Sequence, residues 1–254
     1  FINGVAFLLS ALSEMFIRFP KRVHETTAQQ TVAPSRQFLT SFKEGFSYIW
    51  GHVGLRTLIF FAVALNFLGA PLFSVVFPYL GKEVLLLEAQ QFGTVQAMLP
   101  VGFLLGTVMV GYLTKKYRKE SLLTPGVIMQ GALVVLTGIF ALPTVYGSLS
   151  AVTIMVSLSA ALLGMGVLNT LVNVPFQVML QETVPDGYRG RVYGLLDSMV
   201  QMLVPLSMAF SGMLVDNFSP ASLLVFAGLV TAGLGSGMAL SQGIKLLYAD
   251  QEAV

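Results

Sequence analysis

An all-α, polytopic transmembrane helical bundle is the fold class this sequence predicts, and three observations carry the prediction. Of its 254 residues, 55% are hydrophobic and only 10% charged, with a mean hydropathy of +0.79. A water-soluble domain of that length could not hide so much apolar surface, so lipid is the solvent for most of the chain. Apolar runs of about 20 residues recur, the length that crosses a roughly 30 Å hydrocarbon core as a helix. The basic residues, finally, gather in alternate connections between those runs. A barrel would instead show short segments of alternating hydrophobicity.

Charge and Pro/Gly punctuation divide the chain into seven spans, about 1–17, 55–80, 91–114, 120–143, 149–181, 191–215 and 220–247. Phe1 lies inside an apolar stretch with neither an initiator Met nor a basic flank, so the first span is expected to be the end of a longer helix. Residues 18–54 read as a linker. From Lys21 to Arg36 it is too rich in Thr, Gln, Ala and Ser to bury a core. Beyond it Phe38, Phe42, Phe46, Ile49 and Trp50 recur every three or four residues, with Lys43, Glu44 and Ser47 on other faces. That pattern predicts an amphipathic helix lying in the membrane interface, the alternative being packing against soluble protein. Residues 55–247 hold six complete spans, and 248–254 form a tail.

Of the 14 Lys and Arg residues, only Lys82 falls in a connection on the far side of the alternation. The linker, the loops near 117 and 187 and the C-terminus are therefore expected in the cytoplasm. Spans two to four and five to seven form two sets of three. Because three is odd, the second set enters the membrane from the opposite side, the topology of inverted repeats.

Several chemistries are excluded. The chain has no cysteine, hence no disulfide framework and no thiolate metal site. A net charge of +2 gives no basis for nucleic-acid binding. No nucleophile and base are paired: the only histidines, His24 and His52, lie in the linker and the interfacial helix. Gly235-Ser236-Gly237 is preceded by Leu234 where an intramembrane serine protease has glycine, and no histidine lies at depth. An enzyme, a cofactor and a metal are not expected.

No charged residue occupies the middle of a complete span, where each would cost about 2.5–3.5 kcal/mol. Glu14 stands four residues before Arg18 and reads as half of a helix-surface pair. The polar residues at depth are amides: Asn66, Gln96, Gln130, Asn169, Asn173 and Gln177. Asn169, Asn173 and Gln177 are spaced i, i+4, i+8 and share one helix face. With Asn66 and Gln96 they are candidates to line a substrate cavity; the alternative is interhelical hydrogen bonding, the role assigned to Gln130. Pro71, Pro100, Pro175 and Pro205 permit kinks, and Gly102/Gly106 and Gly233/Gly237 have the spacing of close helix contacts.

Gly111-Tyr112-Leu113-Thr114-Lys115-Lys116-Tyr117-Arg118-Lys119 resembles the loop signature of the major facilitator superfamily, Gly-x-Leu-Ala-Asp-Arg-aromatic-Gly-Arg. Lys115 stands in place of its Asp, and Arg118 in place of its Gly. Gln181-Glu182-Thr183-Val184-Pro185-Asp186-Gly187-Tyr188-Arg189-Gly190-Arg191-Val192 resembles the loop between the tenth and eleventh helices in the branch of macrolide-efflux and enterobactin-export proteins. Glu44-Gly45-Phe46 with Leu55-Arg56-Thr57 is similar to that branch's approach to its seventh helix.

The resemblance implies the six-helix C-terminal half of a major facilitator fold, with residues 1–17 ending the sixth helix. The partner is then a missing N-terminal six-helix half, and the two rock about a central site. It also implies a cytoplasmic gate, for which Gly111, Lys115, Lys116, Arg118, Glu182, Asp186, Arg189, Arg191 and Asp197 are candidates. Solvated charges that merely fix topology are the alternative. The expected activity is export of a drug-like or siderophore-like molecule in antiport with a proton, the coupling carboxylate lying in the other half. A channel, or a membrane scaffold or sensor without transport, are the rival classes; a channel would show a continuous polar stripe or ring.

Overall fold

The structure is a computed structural model that describes residues 2–16, 34–117 and 119–250. The chain divides into two units, Phe1–Leu39 and Thr40–Val254. The first contains α1 (Ile2–Met15), whose 14 residues fall short of a membrane crossing. Phe7, Leu8, Leu9 and Leu12 on it are exposed. Arg18, the expected partner of Glu14, and residues 18–33 of the linker, with His24, lie outside the described residues. The predicted amphipathic helix is α2 (Pro34–Gly51), which belongs to the second unit from Thr40 onward.

Six helices of the second unit are long and apolar enough to cross a membrane. They are α3 (Val53–Val84), α4 (Ala89–Lys116), α5 (Lys119–Phe140), then after the short α6 (Pro143–Tyr146), α7 (Ala151–Thr183), α8 (Asp186–Asn217) and α9 (Pro220–Leu240). Their starts have local causes. Glu88 and Gln91 form a reciprocal capping box at α4, while the Ser150 and Ser219 hydroxyls accept the Thr153 and Ser222 N–H groups at α7 and α9. The prolines leave these helices continuous, but α3 is altered. Pro71 and Pro78 lack an N–H to donate, and over Leu72–Val76 and Leu80–Val84 the hydrogen bonds slip to the wider π register.

The last expected span needs correction. Apolarity alone carried it to residue 247, but α9 ends at Leu240, and extended Ser241 leads into a separate helix, α10 (Gln242–Asp250). This helix turns back against the start of α3. Gly243 meets the Thr57 side chain and the Val53 carbonyl, Gly54 meets Leu247, and Ile244 and Leu247 are buried. Residues 248–250, assigned to a tail, continue it as helix.

Four packings organise the spans: α5 on α9, α4 on α7, α5 on α7, and α3 on α8. If α3–α5 and α7–α9 are taken as triplets, exchanging them interconverts α4 on α7 with α3 on α8 and returns α5 on α9 to itself, whereas α5 on α7 has only a slight counterpart in α9 on α3. The close contacts are made through glycine. Gly102 of α4 lies against Gly166 and the Leu163 carbonyl of α7, and Gly131 of α5 against the Gly228 carbonyl of α9. Of the two predicted spacings, Gly102/Gly106 is thus a contact face. Gly233 faces open space and Gly237 only the Phe61 ring, so the close approach on α9 runs through Gly228 and Gly235 instead. Spacing cannot tell which face of a uniformly apolar helix meets a neighbour.

Buried apolar side chains form two main clusters. One, toward the basic end, includes Leu55, Leu58, Leu123, Met179, Leu180, Val192 and Ile244. The other includes Leu72, Phe77, Leu80, Met165, Val215 and Leu224.

Candidate functional site

Where the two apolar clusters meet, α3, α5, α7 and α9 enclose a cavity of about 240 Å³. Leu58, Phe61, Leu123 and Phe176 wall it from one side, Leu72 and Val134 from the other. Each helix also contributes polar groups from near its middle: Asn66 from α3, Gln130 from α5, Asn169 and Asn173 from α7 and Thr231 from α9. A mid-helix position is the bilayer's middle in a spanning helix, where a polar group without a partner is costly.

Their hydrogen bonds account for part of that cost. Asn173 Nδ2 donates to the Asn169 carbonyl at 3.0 Å and to Asn169 Oδ1 at 2.9 Å. Asn66 Nδ2 donates to the Ala62 carbonyl at 2.9 Å, and the buried Thr231 hydroxyl to the Ala227 carbonyl at 2.8 Å. These bonds are local to one helix, and Asn66 Oδ1 accepts no hydrogen bond among the described residues. Gln130 has no hydrogen-bonding partner among the described residues. Among the described residues, no carboxylate and no cation lines the chamber. Such a wall can orient an uncharged or weakly polar solute through a few amide contacts while burying its apolar body.

The structure therefore brings Asn66, Asn169 and Asn173 together and adds Gln130, which had been assigned to helix association, and Thr231, which sequence reasoning missed. Thr231 gives no signal, because a threonine in a helix can bond its own backbone. Gln177 is exposed one turn beyond Asn173, its carbonyl accepting the Tyr193 hydroxyl at 3.5 Å. Gln96 lines a separate cavity of about 50 Å³ with Phe73, Phe77 and Leu99.

At the basic end, the loop from α7 to α8 is fastened by Arg189. Its Nε donates to the Val184 carbonyl at 3.1 Å and its Nη2 to the Gln181 carbonyl at 2.8 Å, covering carbonyls at the end of α7. Its Nη1 lies 2.6 Å from Asp186. Arg191 pairs with Glu44 of α2 at 3.1 Å. Beside that pair, Tyr48 of α2 stacks on Tyr188 at 4.4 Å, and Gly45 lets α2 approach the Arg191 backbone. Burial pushes the Tyr48 hydroxyl above the ordinary tyrosine range, and the neighbouring Tyr188 adds to the shift. The Tyr48 phenol accordingly stays neutral throughout the physiological range.

The gate candidates thus part company. Asp186, Arg189 and Arg191 gather around the start of α8, and their partner across the interface is α2. Lys115 and Lys116 are exposed without an ion pair among the described residues, Lys116 lying over the Tyr117 ring. Gly111 faces open space, and Asp197 is exposed without a salt bridge. Glu182 is exposed at the end of α7, and Arg118 lies outside the described residues. Sequence reasoning missed Glu44 as a member of this cluster. The signal was present in Glu44-Gly45, a charge beside a residue small enough for close approach.

Residues 1–207 match the Major Facilitator Superfamily. The uncharacterized MFS-type transporter YfiS of Bacillus subtilis (strain 168) is 36% identical over 74 residues, 26% of this chain and 18% of that protein. The multidrug efflux pump Tap of Mycolicibacterium fortuitum is 27% identical over 189 residues, 72% of this chain and 43% of the pump. The uncharacterized MFS-type transporter YvqJ of Bacillus subtilis (strain 168) is 24% identical over 240 residues, 93% of this chain and 52% of that protein. The chain spans about half or less of the length of these relatives. No solved structure matches. Family and relatives point to an integral membrane transporter rather than an enzyme. Six helices long and apolar enough to cross a membrane and a match over most of the chain agree: this chain belongs to the Major Facilitator Superfamily.

Proposed function

We propose that the protein containing this chain exports a drug-like or siderophore-like small molecule by alternating access, in antiport with protons. The observation that carries the reading is the mid-depth cavity: four amides converge on it within apolar and aromatic walls. That chemistry suits a large, weakly polar solute, and the resemblance to efflux proteins, with Tap among the relatives, points the same way. Asn66, Gln130, Asn169 and Asn173 hold the solute in this proposal. Gln96 and Gln177 stand outside the cavity and are left out.

The upstream six-helix half supplies the other wall and, since no carboxylate lines this cavity, the group that carries the proton. Asp186, Arg189 and Arg191 with Glu44 form the latch at the cytoplasmic end, breaking and remaking as the halves rock. The linker and C-terminus face the cytoplasm of a bacterium on this reading, following the basic residues.

Export from cells expressing the full-length protein tests the proposal, with macrolides, dyes and a catecholate siderophore as the panel. Export that collapses with a protonophore is the expected result. Correctly inserted protein that moves none of them would turn the reading toward a scaffold or sensor. Export insensitive to the protonophore would remove proton antiport.

A further inference from the structure

A second cavity, of about 440 Å³, opens at the basic end on the outside of the bundle, between α2, α3 and α8. Its walls include Phe46 and Trp50 of α2, Arg56 and Phe60 of α3, and Leu195 and Met199 of α8. Phe46, Trp50 and Phe60 are 44%, 57% and 63% exposed, so the aromatic face of the amphipathic helix is left open although its Ile49 edge is buried. Phe46 and Trp50 stack at 5.1 Å, and the Arg56 guanidinium lies 5.3 Å over the Trp50 ring.

The two ends of this groove differ. At one, Arg56 has no carboxylate partner among the described residues, and neither has Lys43, which stands three and seven residues before Phe46 and Trp50 and so shares their face of α2, where the sequence pattern had put it on another. From Arg56 the wall runs through Ile59 and Phe60 to Val63, two helical turns or about 10 Å deeper, without another charge. A cation at the bundle end and an apolar trough leading inward match a molecule with an anionic head and a hydrocarbon tail.

We propose that this groove binds one anionic phospholipid, its phosphate on Arg56 with Lys43 beside it and an acyl chain along Phe60 and Met199. The lipid joins α2 to the bundle on the side away from the Arg191–Glu44 pair. This site is separate from the amide cavity and does not depend on what the transporter carries.

Trp50 is the single tryptophan of the chain and reports on the groove. The full-length protein, with any tryptophan outside residues 1–254 replaced by Phe, is placed in vesicles containing brominated phosphatidylglycerol or brominated phosphatidylcholine. Trp50 emission should be quenched at an about fivefold lower fraction of the anionic lipid, the preference expected from one well-placed cation. That preference should vanish in Arg56→Gln, persist in Arg56→Lys, and shrink at about 1 M salt, where the screening length falls to roughly 3 Å. Should Arg56→Gln fail to insert, the salt comparison on the unaltered protein decides. Equal quenching by the two lipids would overturn the proposal, leaving an ordinary aromatic belt. Quenching by neither would overturn it too, since another part of the protein then covers the groove.

Discussion

Asn173 donates to both oxygens that Asn169 offers, and the pair lines the cavity as one unit. Asn173→Leu keeps the branching and number of side-chain heavy atoms and removes that unit. Export by the full-length protein should fall roughly tenfold, equivalent to about 1.4 kcal/mol of lost solute binding. Membrane insertion should be unchanged, and export at the native rate would remove α7 from the solute path. The glycines allow a sharper comparison. A Cβ at Gly131 meets backbone atoms of Gly228 and Ala232, whereas one at Gly233 meets nothing. Gly131→Ala should destabilise the protein by about 1–3 kcal/mol, the range for overpacking. Gly233→Ala should be neutral or stabilising by up to about 1 kcal/mol through helix propensity. Thermal unfolding in detergent reads both.

Between α2 and α8, contact is made by Glu44 with Arg191, by Tyr48 with Tyr188 and by the bare backbone at Gly45. Both charges are partly exposed, so the ion pair adds under about 1 kcal/mol and serves to place α2 more than to stabilise it. A Cβ built at Gly45 lies 3.2 Å from the Arg191 Cβ. Disulfide-bonded cysteines hold these atoms about 3.5–4.5 Å apart, so a small relaxation suffices. The chain has no native cysteine to compete. Gly45→Cys with Arg191→Cys should therefore cross-link under mild oxidation, seen as a mobility shift that a reductant reverses. A pair that stays reduced would mean that α2 rests elsewhere. If the contact opens during transport, as the latch requires, the oxidised protein should also lose export and regain it on reduction.

At the scale of the whole molecule, the packings of α3 on α8 and α4 on α7 correspond when the triplets are exchanged, but α5 on α7 has only a slight counterpart in α9 on α3, and the amide cavity lies among helices of both triplets. On α8, Met202, Leu206, Phe210 and Met213 are 78%, 60%, 57% and 68% exposed along one face. If the upstream half covers this face, residues 1–254 expressed alone should give no export. Co-expression with the upstream half should restore a measurable fraction of it. Export by this chain alone would refute the two-half proposal.

Much of this was legible in the sequence because the bilayer imposes it one helix at a time. A run must be apolar and about 20 residues long, and its flanking charges must alternate, so the six spans and their parity follow from local composition. The amide stripe on α7 and the clustered charges near 187 are local in the same sense. Tertiary packing decided the rest. When every face of a helix is apolar, periodicity does not say which face meets a neighbour, so Gly228 rather than Gly233 makes the contact on α9. The assembly of Asn66, Gln130, Asn169, Asn173 and Thr231 from four helices depends on how those helices cross. That Arg191 takes Glu44 of α2 as its partner, that α10 breaks from α9 at Ser241, and that Gln96 and Gln177 turn away from the cavity depend on it as well. Membrane insertion selects for local hydrophobicity; helix pairing in the membrane is set by close packing among residues far apart in the chain, which no local pattern records.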